Sequence, residues 1–182
     1  APGDTSETFN VSIIDDALDE EDETIELDLS NAVNASIGIN ESATLTIVDD
    51  DTPPTVDFQS GAHTVTEGGA EATITVTLSA ASGKTVTVDY ATSDGTAQAP
   101  DDYASASGTL TFAPGDISQT FNISIVDDAL DEEDETVILT LVRAGNAALG
   151  TANNPAVLTI MDGDPGPETY LYLPYVSKNA RE

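Results

Sequence analysis

The chain has 182 residues, of which 34 are acidic and four are basic, and its formal net charge is −30. So large a negative charge argues against nucleic acids and anionic membranes as partners, because both are polyanions. There is no cysteine, which excludes disulfide bonds and thiol chemistry. No stretch is long and apolar enough to span a bilayer. Ala1 in place of an initiating Met predicts a processed product or a fragment.

The chain repeats itself over a domain-sized interval. Ala1–Ser12 (APGDTSETFNVS) recurs as Ala113–Ser124 (APGDISQTFNIS), and Ala43–Asp51 (ATLTIVDDD) recurs as Ala156–Asp164 (AVLTIMDGD). An interval of this size indicates an array of domains and not a short-repeat solenoid.

These matches divide the chain into the C-terminal half of one copy (1–52), a complete copy (53–164) and a C-terminal tail (165–182). In the half-copy, alternating apolar and polar residues predict three strands, namely Glu7–Ile14, Thr24–Leu29 and Ala43–Val48. Three strands leave an apolar face and long edges uncovered. We therefore expect another chain, the tail or a further part of a longer precursor to cover them.

The link Asp49–Pro54 is short, acidic and stiffened by proline, so a cation bound there would lock the copies end to end. The predicted strands of the complete copy are Thr55–Phe58, His63–Glu67, Ala72–Leu78, Thr85–Thr92, Gly108–Phe112, Gln119–Val126, Thr136–Val142 and Ala156–Met161. This spacing predicts an all-β fold of antiparallel, immunoglobulin-like β-sandwich repeats. In the tail, Thr169–Val176 has the pattern of a strand that either joins an open sheet edge elsewhere or packs on its own domain.

The most unusual stretch is Asp127–Glu135, which occurs a second time as Asp15–Glu23. Seven of its nine residues are Asp or Glu, and no Lys or Arg is near. Two carboxylates held about 5 Å apart repel by roughly 3 kcal/mol at an effective dielectric constant near 20. A divalent cation removes this repulsion, and a set of hard oxygen ligands favours Ca²⁺. The loops therefore predict calcium sites, with a solvated acidic turn as the alternative.

Several motifs in the same order resemble the Calx-beta domain, which occurs in the cytosolic loop of sodium/calcium exchangers and in many secreted or surface proteins. The motifs that carry the resemblance are Thr64–Gly69, Tyr90–Ala97, Asp101–Tyr103, Gly108–Phe112, Pro114–Asp116, Asp127–Glu135 and Ile160–Asp164. The resemblance implies a β-sandwich that binds Ca²⁺ at one end, between the loops that connect its strands.

The resemblance also implies the ligands. In the complete copy they are Glu67, Asp102, Asp127, Asp128, the carbonyl group of Leu130, Glu132, Glu135, Asp162 and Asp164. In the half-copy they are Asp15, Asp16, Leu18, Glu20, Glu23, Asp49, Asp50 and Asp51. The half-copy has no counterpart of Glu67 or Asp102, so its site is incomplete unless a partner supplies them. Gly163 and Ala129 stand where family members often have Asp or another acidic residue.

Two classes of function fit these features. The first is a secreted or cell-surface structural module that calcium rigidifies within an adhesive protein; in a sharper form, the chain is a filament subunit whose half-copy is completed by strands of its neighbour. The second is a calcium sensor that regulates a linked protein. The expected partners are calcium ions and either further copies or neighbouring repeats, which would bind through open strand edges.

Catalysis has little support. His63 is the single histidine of the chain and is expected at a surface or sheet edge, and no aromatic platform for a sugar accompanies the carboxylates. We therefore expect a protein that is not an enzyme. Four Asn-X-Ser triplets, at Asn10, Asn34, Asn40 and Asn122, fit the N-glycosylation pattern but occur often by chance in such a chain.

Overall fold

The computed structural model describes residues 3–164, which form strands and turns and contain no helix. The strands are β1 (Glu23–Asp28), β2 (Ser42–Ile47), β3 (Thr55–Phe58), β4 (Ala62–Thr66), β5 (Glu71–Leu78), β6 (Val86–Asp94), β7 (Ser107–Phe112), β8 (Ser118–Ser124), β9 (Glu135–Gly145), β10 (Ala148–Leu149) and β11 (Ala156–Met161). The predicted strand Thr169–Val176 lies outside the described residues. A search of residues 3–164 finds no helix that could cross a membrane.

The complete copy folds into two sheets. One sheet has the order β10-β3-β5-β8, and the other has the order β4-β11-β9-β6-β7. Alternate residues are buried between them; in β5 these are Ala72, Ile74, Val76 and Leu78. The arrangement confirms the predicted all-β, immunoglobulin-like sandwich.

The hydrophobic core belongs to the complete copy. Among residues 3–164, every buried apolar side chain lies between Pro54 and Ile160, and the largest include Tyr103, Phe58 and Phe112. Full burial of a Phe side chain contributes roughly 1.5–3 kcal/mol. The complete copy therefore has a core of its own, which the half-copy does not share.

The first strand of the complete copy is split between the two sheets. β3 pairs antiparallel with β5, and after the break at Gln59–Gly61 the chain continues as β4, which pairs parallel with β11. The short β10 also pairs parallel with β3. The sheets were predicted to be wholly antiparallel, whereas these two pairs are parallel. The first strand passes from one sheet into the other, and in the second sheet it runs in the same direction as its neighbour β11. The amide nitrogen of Glu67 donates to the carbonyl of Met161 at 2.9 Å, so the ends of β4 and β11 lie together.

The half-copy contains two of its three predicted strands, and they pair as in the complete copy. β1 and β2 form an antiparallel sheet in which Glu23 lies opposite Ile47. Glu135 lies opposite Ile160 in the same way, where β9 pairs with β11. The repeat in the sequence is therefore also a repeat in strand register.

The third predicted strand, Glu7–Ile14, is wrong. The structure has no strand there, and Ile14 is 93% exposed. In the complete copy the matching segment forms β8, which pairs with β5 along most of its length. Residues 3–52 contain no equivalent of β5, so the strand with which this segment would form a ladder is absent from the described residues.

Candidate metal centre

Four segments of the complete copy meet at one end of the sandwich, which we call the acidic tip. They are the end of β4 with Glu67, the turn with Asp102, the acidic loop Asp127–Asp134 between β8 and β9, and the end of β11 with Asp162 and Asp164. Each of them ends or interrupts a strand whose apolar side chains lie in the core. The core thus holds the ends of the polar segments next to one another.

Tyr103 anchors the turn that carries Asp102. Its ring is buried and its hydroxyl group donates to Asp94 at 2.8 Å. Burial, followed by the hydrogen bond with Asp94, raises the pKa of Tyr103 to about 12. The Asp102 carboxylate accepts a bond of 2.7 Å from the amide nitrogen of Gln98. Asp102 is therefore fixed by packing on one side and by the backbone on the other.

Carboxylate oxygens converge around Glu67. Oxygens of Glu67, Asp128 and Glu132 lie within 4.8 Å of one another, and so do oxygens of Glu67, Asp162 and Asp164. Glu67 belongs to both groups and is only 8% exposed. The structure thus brings five of the predicted ligands together around one buried carboxylate.

A small cavity joins further predicted ligands to this group. Its volume is about 10 Å³, roughly that of one water-sized sphere. Its lining includes Glu67, Asp102, Glu132, Glu135 and Asp162. Asp127 and Leu130 do not line it. The Asp127 carboxylate lies beside Gly68, 3.8 Å from where a Cβ atom there would stand.

The crowding of carboxylates raises pKa values at the tip. Burial raises the pKa of Glu67, and the charges of Asp128, Glu132 and Asp162 add to the effect, while a hydrogen bond from the amide of Asp128 partly opposes it. Burial also raises the pKa of Glu132. The pKa of Glu135 rises to about 7, first through burial and then through its hydrogen bond with Asp102 and the neighbouring charges. Burial and mutual repulsion therefore disfavour the ionised form of these three carboxyl groups.

No basic side chain of the described residues neutralises the tip. Lys84 binds Asp19 at 3.0 Å, and Arg143 lies 3.4 Å from Asp89. The ligand atoms that converge at the tip are carboxylate oxygens, which suit hard cations such as Ca²⁺ better than zinc or copper. The residues present therefore fit a calcium ion.

Backbone hydrogen bonds hold the acidic loop in shape. The amide of Leu130 donates to Asp128 at 2.7 Å, which is an Asx turn. The amide of Asp162 donates to Asp134 at 3.3 Å and ties the loop to the end of β11. Asp134 was not among the predicted site residues. Its counterpart in the half-copy, Asp22, accepts the amide of Asp49 at 3.0 Å in the same way.

The eight residues predicted as ligands in the half-copy line one open groove. The amide of Leu18 donates to Asp16 at 2.9 Å, which repeats the Asx turn of the complete copy. Partial burial raises the pKa of Asp51, and the neighbouring charges, first those of Asp49 and Asp50, raise it further. Both groups of three convergent oxygens described above, however, belong to the complete copy.

Comparison with known proteins agrees with this geometry. The chain is 32% identical to the sodium/calcium exchanger Calx of Drosophila melanogaster over 114 residues, which are 63% of this chain and 12% of the exchanger. It is 37% identical to extracellular matrix protein 3 of Lytechinus variegatus over 161 residues, which are 84% of this chain and 5% of that protein. The chain thus spans a small part of these relatives.

A solved structure and a family pattern point the same way. The apo form of the Calx CBD1 domain superimposes with a TM-score of 0.58 at 32% identity, over 61% of this chain and 98% of that one. The sequence pattern of the Calx-beta domain matches residues 1–51 and 49–164. The chain therefore belongs to the Calx-beta domain family.

Proposed function

We propose that the chain is a calcium-binding, non-catalytic module of a secreted or cell-surface protein, in which bound calcium rigidifies consecutive β-sandwich repeats. The observation that carries this proposal is the position of Glu67, a buried carboxylate shared by two groups of three converging oxygens. A buried charge without a partner is strongly unfavourable. A calcium ion in each group would supply the missing partner, with Glu67 as a ligand of both.

Calcium would stabilise the fold because the ligands come from distant parts of the chain. Glu67, Asp102, Asp128 and Asp162 converge only when β4, β8, β9 and β11 are in place. The unfolded chain does not assemble these oxygens, so calcium binds it far more weakly. At a calcium concentration of one hundred times the dissociation constant, such a site adds about 2.7 kcal/mol to the free energy of unfolding.

An extracellular location agrees with the acidic composition and with the relative from an extracellular matrix. Extracellular calcium modules bind with dissociation constants of roughly 10⁻⁴–10⁻³ M. Such sites fill in calcium-rich fluid outside the cell and stay largely empty in cytosol. Catalysis is not part of the proposal, because His63 lies in β4 at the edge of its sheet and the acidic residues converge as ligands.

The test is thermal melting of the full chain across a calcium titration, with Glu67→Gln as the variant and Asp101→Asn as the matched control. Asp101 is exposed and lies next to Asp102, but it does not line the cavity. We expect calcium to raise the melting temperature of the wild type and of Asp101→Asn, and to leave that of Glu67→Gln nearly unchanged. Equal calcium effects on all three proteins would contradict the proposal.

A calcium sensor is the second candidate, and the relative named as a sodium/calcium exchanger supports it. A sensor would bind calcium with micromolar affinity and change shape when it does so. Calorimetry together with small-angle scattering separates the two functions. Near-millimolar affinity with little change in the radius of gyration would favour the structural module.

The filament form of the proposal is supported by the half-copy, which no other strand covers among residues 3–164. In that part of the chain Ile39 is fully exposed, and β1 and β2 form a sheet of only two strands. Strands from a neighbouring chain, equivalent to β4, β5 and β6, would cover them. Sizing and electron microscopy would then find calcium-dependent assemblies of high mass. A monomer with and without calcium would contradict the filament form.

A further inference from the structure

The acidic loop of the half-copy contacts the complete copy through Asp19, which is 4% exposed. The carbonyl oxygen of Asp19 accepts hydrogen bonds from the Gly83 amide at 3.0 Å and the Ser82 hydroxyl at 3.1 Å. Its carboxylate accepts bonds from the Lys84 amino group at 3.0 Å and the Ser82 hydroxyl at 3.4 Å. The turn Ser82–Lys84 thus binds one aspartate through both its backbone and its side chain.

The same loop occurs at the opposite end of the complete copy, where Asp131 takes the place of Asp19. The nine residues are identical, and the Asx turn that precedes the aspartate is present in both loops. Asp131, however, is exposed. One copy of the loop therefore binds a Ser-Gly-Lys turn at one end of the domain. The other copy lies at the opposite end, where no such turn contacts it among residues 3–164.

We propose that the loop Asp127–Glu135 is a docking site, with Asp131 as its central contact, for the Ser82–Lys84 turn of a second copy of the complete domain. The charges are complementary, because the loop carries seven carboxylates and Lys84 is one of two basic residues in 53–164. In the full chain, Asp19 already occupies the Ser82–Lys84 turn. The full chain therefore contributes the loop Asp127–Glu135, and its binding partner is a separate domain 53–164, which lacks Asp19.

The turn selects its partner by shape as well as by charge. A Cβ atom at Gly83 would stand 2.6 Å from the Cγ atom of Glu20, so a side chain there displaces Glu20, and a larger side chain displaces it further. Glu132 occupies the position of Glu20 in the second loop. Asp131 is not among the predicted calcium ligands, so the central docking contact can be removed without removing a predicted ligand.

The test is an NMR titration of isotope-labelled full chain with the unlabelled domain 53–164, at millimolar calcium. That domain contains the whole described core, and the similar Calx CBD1 structure is a single domain of this size. We expect saturable shifts of the amide signals of 127–135. Lys84→Gln in the added domain weakens binding by about tenfold or more. Arg143→Gln, which removes the other positive charge, leaves the affinity unchanged.

Two more substitutions separate docking from general charge attraction. Asp131→Asn in the labelled chain weakens binding by about tenfold or more, as Lys84→Gln does in the added domain, while Asp101→Asn leaves it unchanged. Gly83→Val in the added domain blocks docking without changing any charge. Three results would overturn the proposal: no shifts in 127–135 at about millimolar domain, equal losses with Lys84→Gln and Arg143→Gln, or unchanged binding by Gly83→Val.

Discussion

The chain contains the same nine acidic residues twice, and the structure gives them different surroundings. In Asp127–Glu135, Asp128 and Glu132 approach Glu67 closely enough for their oxygens to share one ion. In Asp15–Glu23 the matching side chains line an open groove, and the convergent groups of oxygens lie in the other copy. Identical local sequences therefore do not make identical sites.

The difference shows what each level of structure contributes. The nonapeptide itself makes the Asx turn, since Leu18 and Leu130 donate to Asp16 and Asp128 in the same way. Two of the other predicted ligands, Glu67 at the end of β4 and Asp102 in the turn between β6 and β7, come from parts of the sandwich that residues 3–52 lack. Local sequence thus determines the conformation of the loop, and the sandwich supplies the further carboxylates that converge on it.

The largest expected effect is a difference between the matched variants Asp128→Asn and Asp16→Asn. Asparagine preserves the Asx turn, because its side-chain oxygen still accepts the amide hydrogen, but it removes the charge. Asp128→Asn should remove most of the calcium-induced rise in melting temperature, a loss of roughly 10 °C for one site of about 2.7 kcal/mol. Asp16→Asn should change that rise by less than about 2 °C. Equal effects, measured by calorimetric melting in calcium and in chelator, would refute the comparison.

A second pair of variants, Asp19→Ala and Asp131→Ala, distinguishes the docked loop from the free one. Asp19→Ala removes the carboxylate that binds Lys84 and Ser82 and leaves the two hydrogen bonds to the main-chain carbonyl, so the half-copy should be held less tightly and the radius of gyration should rise. The pKa of Lys84, which its hydrogen bond with Asp19 raises, should fall. Asp131→Ala should change neither quantity. Small-angle scattering and NMR titration of Lys84 test this, and an unchanged Lys84 pKa in Asp19→Ala would contradict the contact.

The pH dependence of the calcium-free protein provides a third test. The pKa of Glu135 is about 7 in the folded chain against 4.5 for the free side chain, so the folded state binds the proton more tightly. This stability is fully present below about pH 4.5 and is lost as the pH rises through about 7. Calcium-stripped protein should therefore melt higher at about pH 5 than at about pH 8, whereas the calcium-induced rise should be larger at pH 8, because protons compete for the same oxygens.

The control for the pH test is Glu135→Gln, in which the difference between the two pH values should shrink. A calcium-stripped wild type that melts higher at pH 8 than at pH 5 would be incompatible with the crowded tip. The melting temperatures are measured in calcium-free buffers of equal ionic strength, since salt screens the same charges.

The smallest expected effect is that of Gly83→Ala. The new methyl group would overlap the side chain of Glu20, which is flexible and can swing aside. The melting temperature should change by less than about 2 °C, while the amide signals of Asp15–Glu23 shift and those of Asp127–Glu135 do not. Shifts in the second loop would mean that the substitution disturbs the fold and not the contact.

Much of the complete copy could be predicted from sequence, because alternation of apolar and polar residues follows directly from burial of one strand face. The same reasoning failed at Glu7–Ile14, which has the strand pattern but, within residues 3–164, no strand to pair with. The parallel pairing of β4 with β11 was missed, since alternation carries no information on strand direction. Tertiary contacts, not local pattern, decide these features.

The site shows the same division. Seven carboxylates in nine residues were enough to predict that the acidic loop binds a hard cation. The sequence did not reveal the role of Asp134, which ties the loop to the end of β11. A carboxylate that accepts an amide hydrogen looks no different in sequence from its acidic neighbours. The contact between Asp19 and Lys84 was missed as well, since no local signal connects two residues so far apart in the chain.

The most direct test of the account is an NMR calcium titration of the full chain that follows both acidic loops in the same sample. The account predicts that the amide signals of Asp127–Glu135 saturate at a lower calcium concentration than those of Asp15–Glu23. It would be contradicted if the two loops titrated together, if Asp15–Glu23 responded first, or if neither loop responded at millimolar calcium.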